Sequence, residues 1–408
     1  MSIHPGAAAD GAPNVRLQTS LTRRLGIRAP IVQTGMGWVA GARLCAATSA
    51  AGGLGILAAA TMTPAELEVA VRKVRERTDR PFGVNLRADH EDSAAIVAVM
   101  VRERVPVASF ARAPGKEAIQ RLKDAGIFTI ATIGAPRHAE KAAGWGIDAL
   151  IAQGGEGGGH TGSIPTTLLL PAVVAAVDVP VIAAGGFSDG RGLVAALAYG
   201  ASAVAMGTRF LLTQESTVPD AVKQRYLQAG LTDTLVTTAV DGAPQRVVRT
   251  AFIDALEDNG WLAPARRWWT AAQAALAFQA LTGASWGGLL GEAWTMWRRS
   301  EGPLAQTLMA ANAPMLTKAA LVDGRVDAGV LPTGQVVGSV RDLPTVAELI
   351  ARILAEADAA LDRLASVRAA DEAVGVVPAV DSERIYEETR LTPGDGGSGV
   401  GVEVGSIR

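Results

Sequence analysis

Eight short apolar runs recur between residues 30 and 210, most of them separated by an Ala-rich amphipathic segment. They are PIVQTGM (30–36), LGILAA (54–59), PFGVNL (81–86), VPVASFA (105–111), IFTIATIG (127–134), ALIAQGG (149–155), PVIAAGG (180–186) and AVAMGTRF (203–210). Each is continuously apolar rather than alternating, the pattern of a strand covered on both faces. The segments between them, such as TPAELEVAVRKVRERT (63–78), APGKEAIQRLKDAG (113–126) and DGRGLVAALAYG (189–200), carry Pro or Asp near the start, and two of these three close on Gly, as helices do. A strand–helix unit repeated eight times predicts an α/β chain folded as a (β/α)8 TIM barrel. The competing architecture, a doubly wound open sheet, gathers its ligand contacts at one switch point. Here the chemistry-bearing residues stand at the ends of many strands, as a barrel mouth requires.

The rhythm stops near Arg209. Residues 214–340 hold Trp261, Trp268, Trp269, Trp286, Trp294 and Trp297, with basic pairs Arg266–Arg267 and Arg298–Arg299, and read as a mainly helical inserted cap. The amphipathic stretch LPTVAELIARILAEADAALDRLASV (343–367) makes residues 341–369 the expected closing helix of the barrel. Residues 27–213 are then the barrel core, 1–26 a flexible leader and 370–408 a Gly-rich, disordered tail.

Charge is nearly balanced, 38 basic against 40 acidic residues, so nothing draws the chain electrostatically to nucleic acid or to an anionic membrane. One cysteine, Cys45, excludes a disulfide within the chain and argues against a thiolate metal cluster; it reads as core rather than nucleophile. His4, His90 and His138 show no metal-ligand spacing, and no metal is expected. The first 20 residues lack the apolar core of a signal peptide, and no run reaches the roughly 20 apolar residues of a membrane span, so a cytoplasmic protein is expected.

Chemistry concentrates in three places. In IAQGGEGGGHTG (151–162), five of the six residues 154–159 are glycine and His160 follows at the end of the sixth run. An imidazole at a barrel mouth can give or take a proton near neutral pH. The other reading is a surface loop with an incidental histidine. In AAGGFSDGRG (183–192), Gly185 and Gly186 end the seventh run, just before a helix; Met206, Gly207 and Thr208 end the eighth. Barrel phosphate sites are commonly built from these two loops, although short loops packed tightly would look similar. Gly35, Met36 and Gly37 after the first run offer close backbone approach to a ring system. Asn85 and Gln153 carry amides able to donate and accept along the edge of a flavin, or else to satisfy neighbouring backbone.

The strings QTGMG, PFGVNL, QGGEGGGHTG, AAGGFSDGRG and GTRF, spread over residues 30–211, resemble the nitronate monooxygenase-like flavoproteins, which include FMN-dependent enoyl-thioester reductases. That resemblance implies FMN held by Gly35, Met36, Gly37, Asn85, Gln153, Gly158, Gly185, Gly186, Met206, Gly207 and Thr208, with His160 as the acid/base or carbonyl-polarising group. A narrower resemblance rests on VQTGMGWVAGARL (32–44), GLGILAAATMT (53–63), STVPDAVKQRYLQAGL (216–231), LMAANAPMLTKAALVDG (308–324) and GQVVG (334–338). It is to a subgroup of NAD(P)H-dependent flavin oxidoreductases in actinobacterial steroid catabolism, and it implies a CoA thioester of a steroid C/D-ring, indanone-type intermediate as substrate. Oxidation of alkyl nitronates by dioxygen and reduction of an enoyl thioester are the alternatives. Arg209, or the Arg pairs of the cap, are candidates for meeting CoA phosphates, and the Trp-rich segment could pack against a second copy in a homodimer.

Overall fold

The computed structural model describes residues 17–87, 92–111, 114–257, 304–327 and 329–373. Eight parallel strands close into a barrel: β1 (Ile31–Gln33), β2 (Leu54–Ala58), β3 (Phe82–Leu86), β4 (Val107–Phe110), β5 (Phe128–Ile133), β6 (Ala149–Gln153), then, past the two-residue β7 (Gly159–His160) outside it, β8 (Val181–Ala184) and β9 (Ala203–Met206). Each barrel strand falls inside one of the eight apolar runs. β9 pairs with β1, Val32 against Ala205, and so completes the ring.

The unbroken burial of these strands has two sources. Val32, Leu54, Ile56, Val107, Ile130, Ile151 and Ile182 point inward and fill the barrel. Their neighbours Leu57, Val84, Ala131 and Val204 face outward and pack beneath the helical layer. That layer comprises α2 (Ala42–Ala50), α3 (Pro64–Arg75), α4 (Ser93–Arg102), α5 (Lys116–Asp124), α6 (Pro136–Gly144), α7 (Thr166–Ala176) and α8 (Gly190–Ala198), each following its strand. Local chemistry sets their starts. Thr63 and Glu66 form a capping box ahead of Pro64 in α3, and the Asp189 carboxylate accepts from Gly192 N–H at 2.8 Å in α8.

The leader is less formless than its composition predicts. A helix, α1 (Ser20–Leu25), is capped by Thr19 and Thr22 at one end and by Gly26 at the other. Its Leu21 and Leu25 join the cluster inside the barrel, where Arg24 and Leu25 neighbour Pro81, Pro106 and Phe128 at the N-terminal ends of the strands. Apolar side chains four residues apart thus give this short segment a core to bury against.

After β9 come a short α9 (Thr208–Leu211), α10 (Asp220–Leu227), the hairpin β10 (Thr234–Thr237) and β11 (Gln245–Val248), and α11 (Ala251–Glu257). The chain then returns in α12 (Leu304–Leu321) and a 3-10 turn at Gln335–Ser339. The insert expected to be mainly helical thus also supplies two strands; the six tryptophans and both Arg pairs lie outside the described residues. The last helix, α13 (Val346–Ala373), starts on a box in which Thr345 and Glu348 cap one another. Its first part is tied to the barrel layer by Glu356, which accepts from Gly190 N–H at 2.9 Å, while Arg352 donates back to Asp342 in the helix's own lead-in at 2.6 Å. The chain divides into two units, residues 1–360 and 361–408; of the second, residues 361–373 are described and helical. Among the described residues no helix is long and apolar enough to cross a membrane.

Candidate active site

All strands of a parallel barrel end at the same face, so position in sequence becomes position in space. Gly35–Gly37 follow β1, Asn85 lies in β3, Gln153 ends β6, Gly185–Gly186 follow β8 and Gly207–Thr208 follow β9. The first and third strand ends touch: a side chain on Gly35 would stand 2.3 Å from Asn85 Cβ, so only a glycine lets the backbone lie there. Asn85 is buried on β3, its amide 3.4 Å from Ser109 Oγ on β4. Gly185 and Gly186 hold φ of +97° and +86°, backbone that favours glycine, directly after the seventh barrel strand where barrel phosphate sites are commonly built. Met36 reaches across to the β9 loop, its Sδ 3.4 Å from where a Gly207 side chain would begin. A glycine turn after the seventh strand and a glycine-lined first-strand end leave backbone open to a flat-ring cofactor bearing a phosphate.

The 154–162 loop is fastened at both ends. The Glu156 carboxylate accepts from Thr166 N–H at 3.0 Å and lies 2.8 Å from the Thr166 hydroxyl, at the start of α7. That hydroxyl is also 3.0 Å from Gly185 O, so the sixth- and seventh-strand loops share one residue. Gln153 donates its amide to His160 O at 2.8 Å.

β7 then pairs with β11, His160 opposite Gln245 and Gly159 opposite Arg246, and Arg246 donates to Gly155 O at 2.9 Å. The imidazole, its side chain 55% exposed, has Nε2 2.7 Å from Oδ2 of Asp241, in the turn between β10 and β11. Burial opposes ionisation of Asp241, but the hydrogen bond and charge of His160 outweigh it and hold the carboxyl below its usual range.

A second segment of the insert crosses the mouth. Gly334 N–H donates to Thr208 Oγ1 at 2.8 Å, Gln335 N–H to Glu156 O at 2.9 Å, and Thr333 N–H to Arg246 O at 3.2 Å. Gly158 lies directly against it, its absent side chain replaced by Thr333 and Gly334 backbone. Beside the first strand end, a groove of about 570 Å³ runs between α2 and α3, lined by Trp38, Met62, Val69, Lys73 and Thr217. Trp38 is one of two non-glycine residues with positive φ among those described, at 66°, and Lys318 Nζ sits 5.6 Å over its ring.

One candidate turns out to be structural, and Cys45 is the core residue expected from the sequence. Arg209 does not face the mouth: it is 3% exposed, donates to Asp342 at 2.8 Å and to Leu212 O, and ties the start of α9 to the lead-in of α13. A guanidinium so enclosed cannot reach a CoA phosphate. Cys45 is fully buried in α2, and burial pushes its thiol up, away from thiolate chemistry. Sequence reasoning missed Asp241, Arg246 and the 333–335 crossing. One local signal was present: Asp241–Gly242 is a hairpin dipeptide, and Gly242 does take φ of +83°.

A closed parallel barrel with a glycine turn after its seventh strand and a His–Asp pair beside its sixth fits the class of cofactor-binding barrel enzymes. The nitronate monooxygenase family model matches residues 18–100 and 93–356. The chain belongs to that family, and it is a flavin-dependent oxidoreductase.

Two relatives are 56% and 58% identical, the first in Rhodococcus jostii over 86% of this chain and 99% of its own length, the second in Mycobacterium tuberculosis over 84% and 97%. Both are named (3aS,4S,5R,7aS)-5-hydroxy-7a-methyl-1-oxo-octahydro-1H-indene-4-carboxyl-CoA dehydrogenase. A probable nitronate monooxygenase of Staphylococcus haemolyticus is 34% identical over 58% of this chain and 80% of its own. Among solved structures, FabK from Thermotoga maritima superposes with a TM-score of 0.71 at 33% identity, covering 86% of this chain and 99% of its own. A nitroalkane oxidase from Streptomyces ansochromogenes superposes at 0.65 with 30% identity, over 84% and 99%.

Proposed function

We propose that the chain is a cytoplasmic, FMN-dependent and NAD(P)H-linked oxidoreductase whose substrate is a CoA thioester carrying a hydroxy-oxo-indane unit, the C/D-ring remnant of a steroid. The observation that carries this reading is the pairing of His160 with Asp241 beside the end of β6, on a barrel whose seventh strand ends in the positive-φ pair Gly185–Gly186. The names of the two most identical relatives quoted above support the choice of substrate.

In this reading the FMN phosphate rests on Gly185, Gly186, Gly207 and Thr208. The ring lies among Gly35, Met36, Gly37, Asn85, Gln153, Gly158 and Met206. Bound flavin supplies two-electron hydride exchange. The chain's own residues do the rest. The turn at Gly185–Gly186 orients the cofactor, and Asn85 offers an amide to the ring edge. His160 takes the proton of the substrate hydroxyl, or in the reverse direction gives one to the carbonyl oxygen. The groove beside Trp38 takes part of the thioester, with Lys73 and Lys318 at hand for its anionic end. Residues 27–213 form the cofactor-binding core, 214–340 the cap and 341–369 the closing helix.

The test is anaerobic. The hydroxy-oxo-indane-carboxyl-CoA thioester should bleach the flavin absorption of purified protein, and NAD+ or NADP+ should restore it. Replacing His160 with Ala should leave flavin bound and slow the bleaching by about 10²–10⁴-fold. Family membership supports a second reading, nitronate oxidation. Rapid oxygen uptake with propionate-3-nitronate and no NAD(P)H, together with an inert thioester, would overturn the first.

A further inference from the structure

We propose that Asp241 is the positioning residue of the site: it holds the proton of His160 on Nε2 and so makes Nδ1 the atom that exchanges a proton with substrate. This rests on the role given to His160 above. Three observations support it. The Nε2–Oδ2 distance is 2.7 Å, and the imidazole side chain is 55% exposed while the carboxylate side chain is only 17% exposed. The buried partner is therefore the fixed one, and the exposed ring is oriented by it.

Asp241 is in turn held by its own hairpin, with Ala243 N–H donating to Oδ1 at 3.1 Å and the Gln245 side chain also hydrogen-bonding the carboxylate. The ladder between β7 and β11 sets the register, so that the His160 backbone cannot slide relative to the hairpin that carries Asp241. Among the described residues Asp241 is the one carboxylate within 4.0 Å of the imidazole. The nearby charges are engaged elsewhere, Glu156 at the start of α7 and Arg246 on Gly155 O.

A carboxylate accepts and cannot donate when ionised, so the ring nitrogen facing it must carry hydrogen. The neutral imidazole then has its lone pair on Nδ1. When Nδ1 takes a proton, the N–H bond formed there creates an imidazolium that Asp241 stabilises. The proton leaves by the same atom in the reverse direction.

The holoprotein tests this in two ways. ¹⁵N NMR of the full chain, recorded about two pH units above the ordinary imidazole value, should show the His160 proton on Nε2. The His160→Ala variant assigns the signal among the four histidines. In flavin-bleaching kinetics with the same indane thioester, Asp241→Asn should lower the rate constant by about 10–100-fold, with half-saturation little changed. Asp241→Glu should recover part of the loss. Asp241→Asn added to His160→Ala should cost nothing further.

A proton on Nδ1, or an Asp241→Asn protein as fast as wild type, overturns the proposal. If His160→Ala itself bleaches at the wild-type rate, it is the role of His160 that fails; if it is slow while Asp241→Asn is normal, only the positioning role fails. Should Asp241→Asn not fold, the tautomer in the wild-type chain decides.

Discussion

Gly158 and Gly159 are adjacent, yet alanine at each should fail for a different reason and by a different amount. At Gly158 the added Cβ would stand 2.5 Å from both Thr333 C and Gly334 N, where about 3.4 Å is ordinary contact. The crossing segment must then retreat by roughly 1 Å, which overstretches the 3.2 Å bond from Thr333 N–H to Arg246 O and strains the 2.8 Å bond from Gly334 N–H to Thr208. Overpacking costs about 1–3 kcal/mol and each lost bond about 1 kcal/mol, so Gly158→Ala should destabilise by about 2–4 kcal/mol. At Gly159 nothing lies within 4 Å of the added Cβ, but φ is +65°. The cost there is conformational, about 1–2 kcal/mol, and Asn, which tolerates this region, should recover part of it. Melting followed by far-UV circular dichroism should place Gly158→Ala lower by roughly 5–10 °C and Gly159→Ala by roughly 2–5 °C. Asn should improve on Ala at 159 and worsen matters at 158. Equal melting of the two alanine variants, or rescue by Asn at 158, would refute the crossing contact.

Gly207→Val would crowd Thr34 Oγ1 and Met36 Sδ, 3.2 and 3.4 Å from the new Cβ, and should lower the flavin content of purified protein measured by absorbance. Tyr226 is fully buried and donates to Pro332 O at 3.0 Å; Tyr226→Phe should cost about 1 kcal/mol in urea unfolding by orphaning that carbonyl. Burial opposes ionisation of Asp342, but Arg352 and Arg209 outweigh it and hold its carboxyl below the usual range. A depressed folded value means that its contribution is full above the ordinary carboxylate range, near pH 4, and fades as pH falls through the folded value. With the carboxylate side chain 43% exposed, Asp342→Asn should cost only about 1–2 kcal/mol at pH 7. Its melting curve should converge with that of wild type toward pH 2; a gap of constant size would contradict the linkage.

The eight strands were legible because burial on both faces leaves an unmistakable mark, a run with no polar alternation, and ends such as Gly185–Gly186 follow directly from the strand positions. The loop that carries His160 was legible because its glycines announce it. What holds that loop was not. Asp241 and Arg246 act on residues about 80–90 positions earlier, and Gly334 on Thr208 from 126 positions later. Such pairings leave no periodicity, and a two-residue strand such as β7 has too few residues to show any. Arg209 misled for the opposite reason: a charge after a phosphate-type loop suggests a ligand contact, and only the fold shows that α13 approaches closely enough for Asp342 to take it.

The sheet β10–β11–β7 separates two jobs that one loop might have shared. The cofactor cradle proposed above belongs to the barrel, whose strands are buried on both faces. The proposed proton carrier, His160, rides on a three-stranded patch that, in part, faces solvent. Local opening of such a patch is easier than opening of the ring beneath it. Amides of Arg246 and Val247 should therefore exchange with deuterium well before those of Ile56 or Ile151, without loss of flavin.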